Sequence, residues 1–252
     1  MVQRHSVHFL QSENSDAWMG LIDAVYAVAM TLIGVELPEL VGKLIDVPQG
    51  AIDGAMKASV IAYLFLAYVV TFLVLYELWS THKCVIKIGG LNHQLQNFIN
   101  GLLLACTCLG AGDVILIIKV KPRLFAQMMS DEVKLRGGFG GIHATILEWS
   151  NQHYLYWILI FLIVSSMYFL MYIHFCLGRQ ASVIPHASQL RRSLLLKAGY
   201  FVAATLIWLP ISWRGSCLIP PIYPVFLFLL YSFFEASIIS KLKRDTSHAS
   251  RF

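Results

Sequence analysis

Six apolar blocks, each about twenty residues long, alternate with shorter polar segments along the chain. They run about Ala17 to Leu37, Ala58 to Trp79, Phe98 to Ile118, Tyr154 to Gly178, Ser193 to Trp213 and Cys217 to Ser240. A helix rising about 1.5 Å per residue needs about twenty residues to cross roughly 30 Å of hydrocarbon, so each block predicts a transmembrane helix. The expected fold is an all-α integral membrane protein, a single six-span domain over residues 1–252. Pro38 is expected to close the first helix. Pro220 and Pro221 leave the start of the last one loosely defined, because proline disrupts a helix beyond its first turn.

Composition agrees with this pattern. Of the 252 residues, 58% are hydrophobic and only 13% charged, against about 45–50% and about 25% in soluble domains. The mean hydropathy is +0.67. The polar start of the chain (Arg4, His5, Glu13) and the absence of a small-residue cleavage site predict that the first span is retained. Five scattered cysteines fit neither a disulfide framework nor a zinc site. A net charge of +5, spread over the loops, gives no footing for nucleic acid. No nucleophile elbow, His-Glu metal pair or phosphate-binding loop occurs, so no catalytic residue, metal or cofactor is expected. The glycines at 137–141 follow no strand and precede no Lys-Ser/Thr, and they read as a flexible connection within Lys119–His153.

Six spans put both termini on one side. With the ends in the cytosol, inner segments hold eleven Lys and Arg and outer segments eight, and the positive-inside bias then favours cytoplasmic termini. Tryptophans near block ends, Trp79 among them, suit the membrane interface.

The first block carries the sharpest chemistry. Asp23 lies inside its opening turns, and a charge within a span costs about 2.5–3.5 kcal/mol on insertion scales unless it is paired or solvated. His82, at the end of the second block, and Asn100, at the start of the third, are the expected partners. Gly20, Ala24, Ala27, Thr31 and Gly34 make a stripe of small residues along which helices can approach closely. Val28, Thr31, Leu32 and Val35 make a second stripe, offset from the first, with Met30 and Ile33 on the opposite side. Glu36 and Glu39 mark the outer end.

Asp23, the small-apolar helix after it with Thr31, and its close at Val35-Glu36-Leu37 resemble the first span of bacterial channels related to transmembrane protein 175. Those are potassium channels without the usual glycine-rich filter. Trp79 and His82, as Trp-x-x-His, and Asn100 are similar to that family's second and third spans. The family hallmark is Arg-x-x-x-Phe-Ser-Asp; here those positions read Ala17, Leu21, Ile22 and Asp23. The resemblance implies a homotetramer in the cell membrane that passes potassium or other monovalent cations, with the first helix of each subunit lining the pore. Carried over by distance from Asp23, the constriction is Val28, Leu32 and Val35 with Thr31 beside them. Asp23, Trp79, His82 and Asn100 would form a structural or gating network. Two other readings stand beside the channel. One is a scaffold that kept the fold and lost conduction, in line with Ala17 and Ile22; the other is a small proton-coupled transporter using Asp23 and His82.

Overall fold

The computed structural model describes residues 15–46, 54–91, 94–118, 154–178, 187–213 and 222–249. The polar N-terminal segment, the Lys119–His153 connection with its glycines, and the start of the sixth block lie outside the described residues. The described elements are all helical: α1 (Ser15–Ile45), α2 (Gly54–Gly89), α3 (Gln94–Ile118), α4 (Tyr154–Leu177), α5 (Ala187–Trp213) and α6 (Ile222–Ala249). Each contains one of the apolar blocks read from the sequence or most of it. Four are long and apolar enough to cross a membrane, over Asp16–Lys43, Leu64–Gly89, Gln94–Leu116 and Tyr154–Leu177. Arg191, Arg192 and Lys197 fall in the first half of α5, and among the described residues α6 has a shorter apolar stretch, Ile222–Glu235.

Two helix ends differ from expectation. Pro38 does not close α1, which continues for two further turns to Ile45. The ring removes one hydrogen bond and crowds the carbonyl four residues back. That carbonyl belongs to Gly34, the least encumbered residue for such a position. Beyond Pro38, Lys43 pairs with Glu39 one turn apart and supports the last turns. The second helix also overruns its apolar block by ten residues. It stops at Gly90, whose φ of 70° is a left-handed conformation natural to glycine, with its N–H bonded to the Ile86 carbonyl at 2.9 Å.

The bundle is built around α4, which packs on α2, α3 and most extensively on α5. Phe161, Met167, Tyr168, Met171 and Phe175 of α4 are almost wholly buried. Tyr168 stacks on Phe201 of α5 (6.4 Å, 9°), and Phe201 meets Phe228 of α6 at 4.7 Å. Gly178, just past α4, lies so close to the end of α2 that a Cβ there would run into the Gly89 carbonyl. By contrast α1 leans mainly on α2 and α3, at the margin of the bundle. That marginal position sets up the site.

Candidate pore helix and its anchor

Trp18, Ile22, Tyr26, Ala29, Ile33 and Leu40 recur at three-, four- and seven-residue steps, and all are buried. They fasten one side of α1 to α2 and α3. The other half of the helix is open in the single chain. Ala17, Gly20, Asp23, Ala24, Ala27, Val28, Thr31, Leu32 and Val35 are all exposed. The two expected stripes therefore merge into one broad face. Gly34 departs from it: a Cβ there would lie 3.4 Å from Tyr68 Oη, so this glycine serves the α1–α2 contact.

On that face the four proposed constriction residues lie together. Val28 is 58% exposed, Leu32 51% and Val35 65%, a display shared by outward side chains of other helices such as Phe65, Leu155 and Leu206. Thr31 shares the face, its hydroxyl donating to the Ala27 carbonyl at 2.7 Å. Val28 and Leu32 also edge a groove of about 280 Å³ whose far wall is Cys108, Ala111, Gly112 and Ile115 of α3. Of the two opposite-side residues, Ile33 is buried at 2% and Met30 half-buried.

Asp23 stands at the α2 border of the same face. Its Oδ1 accepts a hydrogen bond from the Trp79 indole at 2.7 Å, and Lys83 Nζ reaches Oδ1 at 2.8 Å and Oδ2 at 3.0 Å. The expected pairing with His82 or Asn100 is not what forms. His82 and Asn100 pair with each other instead, Nε2 to Oδ1 at 3.3 Å, both wholly buried between α2 and α3. The reason is azimuth. Trp79 and Lys83 are four apart on one face of α2, whereas His82 is turned about 100° away from Lys83. Tyr26 of α1 meets the His82 ring edge-on at 6.2 Å, so the two polar pairs adjoin without merging. Reading the sequence missed Lys83; its signal was the four-residue step from Trp79.

A second charge cluster joins the remaining helices. Lys197 of α5, 6% exposed, lies 2.6 Å from Glu77 of α2 and 3.3 Å from Glu235 of α6. Thr81 donates to Glu77 at 3.2 Å and Ser193 to Glu235 at 3.0 Å. Charges that look isolated along the sequence are thus paired across three helices.

Among the described residues, a void of about 60 Å³ inside the bundle, with walls on α2, α3 and α4 and edges on α1, α5 and α6, is lined mostly by apolar side chains, and the hydroxyls of Thr71 and Thr107 are bonded to their own helix carbonyls. A polar ion entering there would be desolvated without compensation.

These features define a class: a helical integral membrane protein whose first helix is half-exposed and anchored by a charged network. Residues 19–109, from α1 through most of α3, match the model of a family described as endosomal/lysosomal potassium channel TMEM175. The match supports the resemblance read from the sequence, and that family is one of ion channels, not of enzymes. No curated protein and no solved structure matches the chain.

Proposed function

We propose that the chain is one subunit of a homotetrameric cation channel with potassium as its ion. In this reading all six helices span the membrane, both termini are cytoplasmic, and the membrane is the plasma membrane. The exposed half of α1 from each subunit faces a common axis. Val28, Leu32 and Val35 form the constriction beside Thr31, while Asp23, Trp79, His82 and Asn100 hold the helix in place. The observation that carries the reading is that Val28, Thr31, Leu32 and Val35 share the open side of α1 within the stretch matched to a potassium channel family. An apolar ring of this kind gates by wetting and dewetting.

Flux through purified protein in liposomes tests it. Potassium efflux should exceed sodium efflux and depend on the protein. Val28→Asn or Leu32→Asn, which hydrate the ring, should raise cation leak and weaken that preference; Val28→Trp should block it. Ile33→Val, on the packed side, should leave flux unchanged. Absence of flux in the wild-type protein and in every variant would favour the non-conducting scaffold, which Ala17 and Ile22 in the hallmark positions also suit.

A further inference from the structure

Nothing in the sequence pattern or in the family match gives Lys83 a role, yet it is the most connected side chain at the α1–α2 border. Its ammonium binds both oxygens of Asp23 at 2.8 and 3.0 Å and lies 4.8 Å from the centroid of the Trp79 ring. Trp79 then adds a third hydrogen bond to the same carboxylate at 2.7 Å. Three hydrogen bonds from two side chains on one face of α2 fix the orientation of that carboxylate. Without Lys83 one bond remains, and the indole loses the cation over its ring.

Directional fixing matters for this helix in particular. The buried side of α1 is apolar apart from Tyr26 and the Trp18 indole, and apolar packing has little preference in direction. It holds the helix against α2 and α3 and leaves rotation about its own axis weakly specified. Side chains project about 5–6 Å from a helix axis, so a 30° turn would carry the Val28 and Leu32 tips about 3 Å sideways. Position 17, six residues before Asp23 on the same helix, is an exposed Ala and supplies no cation to it. We propose that Lys83 is a positioning residue that sets the rotational register of α1, and through it the direction in which Val28, Leu32 and Val35 point. This rests on the channel reading for its consequence in flux, but the geometry itself can be read without conduction.

The test uses the full chain in liposomes with two readouts: potassium flux, and disulfide cross-linking between subunits through Val28→Cys. Lys83→Met is expected to lower both by about tenfold, equivalent to about 1.4 kcal/mol, and Lys83→Arg to keep both near wild type. Asp23→Lys alone should fail like Lys83→Met. The exchanged pair, Asp23→Lys with Lys83→Asp, should recover cross-linking and flux in part, because the ion pair between α1 and α2 is rebuilt with its charges swapped while the Trp79 indole loses its acceptor. Wild-type flux and cross-linking in Lys83→Met would overturn the proposal, as would an exchanged pair no better than its single changes. If Lys83→Met does not assemble, assembly of the exchanged pair supports the role and its failure to assemble refutes it. Wild-type protein that cross-links without conducting would sink the channel reading alone, and the exchanged pair would still decide the role of Lys83 by cross-linking.

Discussion

Asp23 is tolerated in an apolar helix because it is neither bare nor buried. Its side chain is 47% exposed and that of Lys83 27%, so the pair keeps part of its hydration while three hydrogen bonds satisfy the carboxylate. An exposed pair of this kind contributes only about 0–1 kcal/mol by charge alone, and its greater effect is geometric. Asp23→Asn keeps an acceptor for the Trp79 indole, whereas Asp23→Leu removes acceptor and charge together. We expect Asp23→Leu to lower the melting temperature and the assembled fraction well below those of Asp23→Asn, measured by tryptophan fluorescence and size-exclusion chromatography in mild detergent. Equal, wild-type-like behaviour of the two variants would make Asp23 a simple helix-start carboxylate. His82 and Asn100 belong to another layer, buried behind Tyr26.

Among the elements, α2 is linked through the polar side chains of its Glu77–Lys83 segment to α1, α3 and α5, and through α5 to α6. Glu77 reaches α5 and, through Lys197, α6; Trp79 and Lys83 reach α1; His82 reaches α3. Lys197 holds this arrangement together, since one ammonium serves two carboxylates. Removing one partner of a buried ionic cluster costs about 3–5 kcal/mol, whereas replacing the whole cluster by neutral groups is often nearly neutral. Lys197→Met should therefore destabilise the protein strongly in thermal melts. Adding Glu77→Gln and Glu235→Gln to it should restore much of the loss. A triple variant less stable than the single one would show that the carboxylates are held by something other than Lys197.

For the whole molecule, the question is what covers the exposed half of α1. Gly20, Ala24 and Ala27 permit close backbone approach, and Val28, Leu32 and Val35 supply apolar area beside them. Around a four-fold axis every subunit turns the same face to the centre, while its contacts with its two neighbours are heterologous. We expect native mass spectrometry from mild detergent to give a tetramer, and Ala24→Leu or Ala27→Leu to shift it toward smaller species by holding neighbours apart. A strictly monomeric wild-type protein would remove the shared axis and any pore with it.

Local patterning accounts for much of this protein. Runs of about twenty apolar residues dictate helices of membrane length, and the three- and four-residue recurrence from Trp18 to Leu40 marks which side of α1 is packed. Those features depend only on the helical period and on burial, which act over a few neighbouring residues. The same logic placed Val28, Leu32 and Val35 on one face, though not its merging with the small-residue stripe. The partners of the charges were decided elsewhere. Asp23 meets Trp79 and Lys83 across 56 and 60 residues, and Lys197 meets Glu77 across 120. Each pairing requires the rotation and axial register of two separate helices at once, and neither is encoded in the periodicity of one. The continuation of α1 past Pro38 is of the same kind, because a proline's cost within a helix is offset or not by what the next turns can contact. Helical state and the apolar runs of membrane length follow from the sequence alone; where the helices end and which charged side chains face one another follow only when the helices are packed.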